Sequence, residues 1–188
     1  LLGLESDLVL HGGGNTSVKL SETNIFGEEE DILYVKGSGR NLATIDAEGF
    51  TPLRLTNIKK LAELVHISDT MMVREQQLAM TNPDAPSPSV EVLLHAIIPF
   101  SWIDHTHADA VVTLTNTPKG EKLIQDVYGD RLLIIPYVMP GFKLARKVFE
   151  ITQKVDWQQY EGMILLNHGI ISFGAEAHES YERMINAV

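Results

Sequence analysis

A chain of 188 residues, 44% hydrophobic and 21% charged, is long enough to bury the core of one globular domain. It contains no cysteine, which excludes a disulfide framework, a thiolate nucleophile and a cysteine-type zinc site. Its formal net charge of −10 disfavours non-specific binding to nucleic acid, and no apolar run approaches the roughly 20 residues of a membrane span.

Short alternating strands and glycine turns fill the first half of the sequence. Apolar-alternating stretches, DLVLH before the Gly12–Gly14 turn and TSVKL after it, predict two strands. DILYVK predicts a third strand, which ends at a second glycine turn, Gly37–Gly39. The charged segment GEEED at 27–31 is expected to form a solvated hairpin loop.

Helices dominate the middle of the sequence. Apolar spacing predicts a helix over 56–65 with Thr56 as its N-cap, and a proline-rich loop at 81–89 precedes a helix with Ser89 as its N-cap. The segment WIDHTHADAV then supplies a strand. Beyond it we predict helices over 108–117, 120–129, 141–155 and 176–188, a strand over 131–138 and a strand pair over 162–174.

This order of elements favours a layered α/β fold rather than a regular βαβ alternation. We predict a single domain over residues 1–188, located in the cytoplasm and without a nucleic-acid or membrane partner. Because the chain begins with Leu1 rather than Met, we also expect it to be a portion of a longer protein.

Three histidines are the candidate metal ligands. His105 and His107 are two residues apart in a predicted strand, so their side chains lie on one face, about 7 Å apart at their Cα atoms. His168 interrupts two apolar runs, where a buried polar side chain needs a partner. Three imidazoles leave one position open on a metal ion, which is typical of a catalytic site.

A carboxylate and two glycine turns complete the candidate site. Glu91 is surrounded by apolar residues in the predicted helix, which weakens its interpretation as a solvated glutamate. His95, four residues later, is interpreted as structural. The turns at 14–17 and 37–39 offer backbone N–H groups that could cradle a phosphate, and the helix start at Ser89 is a third place for one.

Six segments in order resemble the class II aldolase and adducin-head family: GGGNTSVK, VKGSGRNL, PSPSVEVLLH, DHTHADAV, IPYVMPGF and LLNHGIISFG. The resemblance implies a layered αβα fold with a central, mainly antiparallel sheet. It implies a divalent metal, Zn²⁺ or another such as Mn²⁺ or Co²⁺, on His105, His107 and His168. It implies Glu91 as the acid/base, and a homo-oligomer, most simply a tetramer.

The resemblance also implies which residues surround the phosphate of a sugar-phosphate substrate: Asn15, Ser38, Gly39 and Ser89. Several family members carry two serines before the glutamate, whereas this chain has Ser89 followed by Val90. Family aldolases also take a catalytic tyrosine or acid from a neighbouring subunit. Tyr128 lies in the corresponding stretch and is the candidate for that role.

Within the family, the chain is most similar to the aldolase portion of bifunctional proteins that join a rhamnulose-1-phosphate aldolase to a dehydrogenase. This similarity implies cleavage of a ketose 1-phosphate to dihydroxyacetone phosphate and an aldehyde. Two alternatives stay open. The same site could serve a pentulose-phosphate 4-epimerase, a thioribulose-phosphate dehydratase or a sugar-acid decarboxylase, or the chain could be an adducin-like interaction module without turnover.

Overall fold

The structure, a computed structural model, describes all 188 residues. Its centre is one sheet of seven strands: β1 (Asn15–Thr23), β2 (Glu29–Lys36), β3 (Phe50–Arg54), β4 (Trp102–Thr106), β5 (Leu132–Ile135), β6 (Gly162–Leu165) and β7 (Gly169–Gly174). Their order across the sheet is β3-β2-β1-β4-β7-β6-β5, so β4 lies in the middle.

The sheet is mainly antiparallel, as the resemblance implied. Only the β5–β6 pair is parallel, and the other five neighbouring pairs are antiparallel. On β4, His105 lies opposite Asn15 of β1 on one side and opposite Ile171 of β7 on the other. The end of the central strand therefore carries the first candidate ligand.

Helices cover both faces of this sheet: α1 (Leu55–Glu63), α2 (Asp69–Ala79), α3 (Val92–Ile97), α4 (Asp109–Thr115), α5 (Gly120–Tyr128), α6 (Phe142–Thr152) and α7 (Ala177–Ala187). Helices α1, α2, α3 and α6 share core clusters on one face, and α4, α5 and α7 share a cluster on the other. No helix combines the length and apolar character needed to cross a membrane.

Alternation along the central strands explains this layering. On β7, Ile171 and Phe173 face α3 and α6, whereas Ile170, which precedes them, packs with α4, α5 and α7. All three side chains are fully buried. Burial of such a side chain contributes roughly 1.5–3 kcal/mol, so a strand that is apolar on both faces belongs in the middle of a covered sheet.

The first predicted strand is wrong. Residues 6–8 form a turn, in which Leu8 and Val9 donate backbone hydrogen bonds to the Glu5 carbonyl, 3.0 and 3.2 Å away. Leu8 and Val9 still reach the core, whereas Leu10 is exposed. The apolar pattern of DLVLH therefore reflects a turn whose side chains pack against the core, and not a strand.

Several other boundaries differ from the prediction, and β3 and α2 were not predicted. The strand predicted over 131–138 ends at Ile135, and the helix predicted over 141–155 ends at Thr152. Helix α1 begins at Leu55, with Arg54 as its N-cap residue, so Thr56 is not the cap. The charged loop is shorter than predicted, because Glu29 already lies in β2. Helix α3 begins at Val92 with Glu91 as its N-cap residue, so Ser89 is not the helix cap; the ψ angle of Glu91, 4°, is not helical.

Candidate active site

The three histidines converge at the end of the central strand. His105 is in β4, His107 lies just beyond the end of β4, and His168 lies in the turn between β6 and β7. Their ring centroids are 4.9 Å (His105–His107), 4.9 Å (His105–His168) and 5.2 Å (His107–His168) apart. One nitrogen from each ring lies within 4.8 Å of the others, which is close enough for all three to bind one ion.

The local backbone explains how His168 reaches this cluster. Asn167 has a positive φ of 58°, a conformation that asparagine tolerates better than most residues. Its side-chain amide donates hydrogen bonds to the Thr115 carbonyl at 3.1 Å and to Asn116 Oδ1 at 2.9 Å. These bonds hold the β6–β7 turn against the end of α4 and direct His168 inward.

Gly169 leaves room for the other two imidazoles. A Cβ atom at this position would meet the Thr106 carbonyl oxygen, and it would come within 3.1 Å of His105 Cε1 and 3.2 Å of His107 Cδ2. Any side chain here would therefore displace the candidate ligands, so the glycine in the sequence NHG has a packing reason.

A backbone hydrogen bond orients the His105 ring. Its Nδ1 lies 3.0 Å from the Ile170 carbonyl oxygen, and because a carbonyl only accepts, Nδ1 carries the proton. Nε2 then keeps a free lone pair. Burial lowers the pKa of His105 to about 3. Burial also lowers the pKa of His168 to about 4, and the neighbouring His105 contributes to that shift. Both rings are therefore neutral at pH 7, the form that binds metals.

Glu91 faces the same cluster from the residue before α3. Its Oε1 lies 3.4 Å from Nε2 of His105 and 3.4 Å from Nε2 of His168. Burial raises the pKa of this carboxyl group, whereas the nearby histidines act to lower it. A buried carboxyl group with a raised pKa can both accept and donate a proton near neutral pH.

His95 is not part of the cluster. It is fully buried, and its Nδ1 lies 2.7 Å from the Ser17 hydroxyl of β1. The contact ties α3 to the sheet directly behind the site, which agrees with its structural interpretation.

A cavity of about 210 Å³ adjoins the histidines and Glu91. Both glycine turns border it, so the structure brings these turns and the candidate ligands together despite their separation in the sequence. Its lining residues are Gly12, Gly13, Gly14, Lys36, Ser38, Gly39, Ser89, Val90, Glu91, His107, Pro140 and His168. A larger groove of about 910 Å³ shares Val90 and Pro140 with this cavity.

The hydrogen-bond donors at the cavity differ in part from those expected. The Gly39 N–H has no acceptor, whereas the Ser38 N–H donates to the Ser87 carbonyl at 2.8 Å. Ser38 therefore offers its hydroxyl group rather than its backbone. Ser89 borders the cavity, but its hydroxyl accepts from the Glu91 N–H at 3.3 Å, and α3 has only six residues. Ser89 thus caps a turn, and a long helix does not point at the cavity.

Asn15 and Tyr128 occupy different environments. Asn15 is fully buried opposite His105 and does not line the cavity. Neither its side-chain oxygen nor its side-chain nitrogen has a hydrogen-bond partner. It lies near enough to Glu91 to act to lower the pKa of that carboxyl group. Tyr128 is a core residue whose hydroxyl donates to the Ala187 carbonyl at 2.8 Å. It is therefore not a surface group that one subunit could present to another.

One cavity residue was not assigned from the sequence. Lys36 ends β2 with only 3% of its surface exposed, and it lies inside the segment VKGSGRNL. Burial lowers the pKa of its amino group, and Glu91 acts in the opposite direction. The sequence around Lys36 carries no local signal of this burial, because β2 (EEDILYVK) begins with three acidic residues and ends at a glycine turn.

The donor set fits a divalent metal. His105 Nε2 and Glu91 Oε1 are buried and have no hydrogen-bond partner. An unpaired buried polar atom costs about 1–3 kcal/mol, and a bound cation would offset that cost. Neutral imidazoles suit zinc and similar transition metals, and the three histidines leave a position open to substrate.

The family follows from a comparison with known proteins. The family model described as Class II Aldolase and Adducin N-terminal domain matches residues 2–188. The chain belongs to this family. The match and the solved structures together support an enzyme of the class II aldolase type. The family that the sequence motifs implied is thus confirmed.

Three similar proteins illustrate the match. The N-terminal class II aldolase domain of a conserved Thermoplasma acidophilum protein is 41% identical with a TM-score of 0.89, over 99% of this chain and 84% of that one. A sugar-phosphate aldolase from Thermotoga maritima shares the fold at 17% identity and a TM-score of 0.64, over 97% and 84% of the two chains. The Bacillus subtilis protein described as uncharacterized oxidoreductase YuxG is 34% identical over all of this chain, which spans 27% of its length.

Proposed function

We propose that this chain is a divalent-metal-dependent aldolase that cleaves a ketose 1-phosphate of the rhamnulose 1-phosphate type into dihydroxyacetone phosphate and an aldehyde. One observation carries the proposal: three histidines and a buried carboxyl group converge beside a cavity whose other wall is formed by two glycine turns. The family match supports the same reaction class.

His105, His107 and His168 would hold the metal, which we propose to be Zn²⁺, Mn²⁺ or Co²⁺. When bound, such a metal supplies Lewis-acid chemistry, because it draws electron density from substrate oxygen atoms as a carbon–carbon bond breaks. The chain's own contribution is to keep His105 and His168 neutral and to orient the ligands. The Ile170 carbonyl fixes the His105 ring, and the packing against Gly169 fixes its position.

Glu91 would move the proton at the reacting carbon. In the cleavage direction the C4 hydroxyl would lose its proton to the acid/base group that family aldolases take from a neighbouring subunit. C4 becomes the aldehyde carbon as the C3–C4 bond breaks, and the electron pair stays on C3. Glu91 would then donate a proton to C3 of the departing dihydroxyacetone phosphate. In the condensation direction the carboxylate removes the same proton. Its position 3.4 Å from two candidate ligands supports this role, because an acid/base must lie next to the atom that it serves.

The substrate phosphate would lie against the glycine turns, near Ser38, Gly39 and Ser89. The net charge of −10 repels anions at long range, so attraction must be local. Asn15 is fully buried and does not line the cavity, and its unpaired amide lies near Glu91, so it would orient that carboxylate rather than contact the phosphate. Val90 replaces the second serine of some relatives, so one hydroxyl contact is missing.

Ser38→Ala is expected to raise KM several-fold and to change kcat little. A hydroxyl group that contacts the phosphate supplies uniform binding to ground state and transition state, and its loss costs about 0.5–1.5 kcal/mol. Steady-state kinetics of Ser38→Ala beside Ser101→Ala, an exposed serine outside the cavity, measures this effect. An unchanged KM of Ser38→Ala would show that Ser38 does not contact the phosphate.

We also propose a homo-oligomer, most simply a tetramer, with active sites near subunit boundaries. Family aldolases take one catalytic group from a neighbour, and closed symmetric assemblies are common among enzymes. Light scattering at micromolar concentration should give a multiple of 20.9 kDa. A fully active monomer would contradict the proposal.

We further propose that the chain is the aldolase portion of a longer bifunctional protein. The support is that YuxG, described as an oxidoreductase, contains a region matched by the whole of this chain within a polypeptide nearly four times as long. The dehydrogenase activity of such a protein would lie outside the chain.

A panel of ketose phosphates tests the proposed reaction. Metal-loaded protein is incubated with each sugar, and the release of dihydroxyacetone phosphate and aldehyde is coupled to NADH oxidation. Rhamnulose 1-phosphate and its epimers should release both products. An epimer, a dehydrated product or carbon dioxide, without aldehyde, would identify another reaction at the same site, and no turnover on any sugar would contradict an aldolase.

A further inference from the structure

The loop between β1 and β2 presents two large apolar side chains to solvent. Ile25 and Phe26 are adjacent in this loop, and 94% and 80% of their surfaces are exposed. A single exposed apolar residue is ordinary on a protein surface, whereas adjacent aliphatic and aromatic side chains at this exposure are typical of an interaction site. We call residues 24–28 the hairpin tip.

Hydrogen bonds fix the shape of the hairpin tip. Asn24 Oδ1 accepts from the Phe26 N–H at 2.9 Å and from the Glu28 N–H at 3.0 Å. The Asn24 N–H donates to the Glu28 carbonyl at 2.8 Å, and the Gly27 N–H donates to the Asn24 carbonyl at 3.0 Å. Because the turn is already ordered, binding through Ile25 and Phe26 would cost little conformational entropy.

The charge around the hairpin tip restricts what it can contact. Residues 22–31 include five acidic side chains and no lysine or arginine. A nucleic acid and the surface of an anionic membrane are both negatively charged, so this segment would be repelled by either. The complementary surface is an apolar one with a positively charged rim.

A groove with these properties lies beside the active site. It is the groove of about 910 Å³ that shares Val90 and Pro140 with the catalytic cavity, and it runs between α6 and the segment that joins α1 to α2. Val65, Val73 and Met139 line it and are exposed. The groove therefore offers apolar surface on which two further apolar side chains can be buried.

Lysines of α6 supply the positive rim of this groove. Lys143 and Lys147 line it, and no carboxylate oxygen lies within 4.0 Å of either ammonium group. Arg146 and Glu150 also line it but pair with each other at 3.0 Å, which leaves Asp69 as the remaining acid. Because its charge is thus mainly positive, we call it the basic groove.

We propose that the hairpin tip of one copy of this chain docks into the basic groove of a second copy. Ile25 and Phe26 would lie against the apolar lining, and the acidic residues beside them would lie against Lys143 and Lys147. Both surfaces are exposed within one chain, so a chain does not fill its own groove. Because the two surfaces differ, the contact is heterologous, and repetition of it can close a ring.

The proposed contact has a consequence for the active site. Since Val90 and Pro140 border both the groove and the catalytic cavity, a docked hairpin tip would lie at the opening of the neighbour's cavity. The inference rests on the homo-oligomer of the proposed function and names the surfaces that form it. It does not depend on which reaction the site performs.

Two double variants disrupt the contact from opposite sides. The hairpin variant, Ile25→Ser with Phe26→Ser, removes the apolar side chains and leaves the turn-forming Asn24 in place. The groove variant, Lys143→Glu with Lys147→Glu, reverses the charge of the rim and places like charges opposite each other. Circular dichroism and thermal unfolding check the fold of each variant.

Val127→Ser and Lys119→Glu are the matched controls. Both residues are exposed, and neither lines the groove or the catalytic cavity. Light scattering should give the controls and the parent chain the same multiple of 20.9 kDa at micromolar concentration. Both double variants should be monomers there, with the dissociation constant raised roughly a hundredfold or more, as expected when two large apolar side chains are no longer buried.

A mixture of the two double variants tests whether the two surfaces contact each other. The hairpin variant keeps an intact groove and the groove variant keeps an intact hairpin tip, so one contact of the parent type can form between them. Equimolar mixing should therefore give a particle of twice 20.9 kDa and nothing larger. Docking of one hairpin tip against another, or onto a different portion of a longer polypeptide, would not give this particle.

A charge exchange provides a second hairpin variant that keeps the apolar side chains. Glu28→Lys with Asp31→Lys should weaken assembly by itself, because the altered hairpin tip would meet Lys143 and Lys147. Combined in one chain with the groove variant, it should restore the mass of the parent protein. This arm tests the contact even if the serine substitutions prevent folding.

Several results would overturn the inference. If a folded double variant keeps the parent's mass, its surface is not part of the interface, and the proposed homo-oligomer uses another contact. If both variants are monomers but their mixture contains no two-chain particle, the hairpin tip and the basic groove do not contact each other. A monomeric parent chain would overturn both the inference and the proposed assembly. Cleavage of ketose phosphates is measured separately, so the reaction can stand or fall without the interface.

Discussion

Replacing Glu91 by glutamine is expected to lower kcat by roughly a hundredfold or more while the fold and the metal content stay unchanged. Glutamine nearly matches glutamate in shape, but its amide cannot accept and return a proton. Because Oε1 lies 3.4 Å from His105 Nε2 and 3.4 Å from His168 Nε2, the exchanged atom is directly beside the candidate metal ligands.

The stability of this variant carries information of its own. Glu91 is buried with a raised pKa and no hydrogen-bond partner for Oε1, so the ionised side chain is costly in the folded protein. A neutral amide avoids that cost. We therefore expect the thermal midpoint of metal-free Glu91→Gln to equal or exceed that of the metal-free parent protein, an instance in which a functional group reduces stability.

Glu121→Gln is the control, because Glu121 is exposed at the start of α5 and does not line the cavity. Steady-state kinetics measures kcat, and elemental analysis measures the metal content, of both variants and the parent protein. If Glu91→Gln retains near-normal kcat, another group moves the proton. If it loses its metal as well as its activity, Glu91 serves as a ligand rather than as an acid/base.

The elements with strong local patterns were predictable from the sequence. The helices over 120–129 and 141–155 have one apolar face each and are confirmed as α5 and α6. The strand pair over 162–174 is apolar throughout and is confirmed as β6 and β7. In these segments the local periodicity and the tertiary burial agree, so the sequence alone was sufficient.

The elements that were missed depend on tertiary contacts. Strand β3 contains Pro52 and is only five residues long, features that argue against a strand, yet it lies at the sheet edge, where a missing N–H is tolerated. Helix α2 buries only Met72, Gln76 and Ala79, so its sequence has little apolar periodicity. Its clearest signal is Ser68, whose side chain accepts a hydrogen bond from the Met71 N–H at 3.3 Å.

The residues of the candidate site differ in the same way: those with a recognisable sequence pattern were predicted, and the one that is buried by tertiary contacts was not. The histidines were recognisable because the types of residue that bind metals are few, and the family motifs placed them together. Lys36 was overlooked because nothing in VKGSG distinguishes a buried lysine from an exposed one. Its burial depends on the Gly12 and Arg40 carbonyls, which only the folded chain brings within reach. A long-range hydrogen bond of this kind has no local signature.

Removing the His168 imidazole is expected to abolish stoichiometric metal binding. A lost contact outside the ligand shell typically lowers metal affinity 10- to 100-fold, so loss of one of three ligands should cost roughly a hundredfold or more. Elemental analysis of His168→Ala purified without chelator should therefore find less than about a tenth of the parent's metal. His178→Ala is the matched control, since His178 is exposed on α7 and forms an ion pair only with Glu182, at 3.5 Å.

Thermal unfolding gives a second readout that does not depend on turnover. A metal that binds only the folded chain stabilises it by RT ln(1 + [metal]/Kd), so added Zn²⁺ should raise the midpoint of the parent protein and of His178→Ala but not that of His168→Ala. The comparison removes the effect of the substitution on folding, because each protein is its own reference. Equal metal content and an equal shift in His168→Ala would show that His105 and His107 bind the ion with a different third group. Glu91 would then be the candidate, because its Oε1 lies 3.4 Å from His105 Nε2.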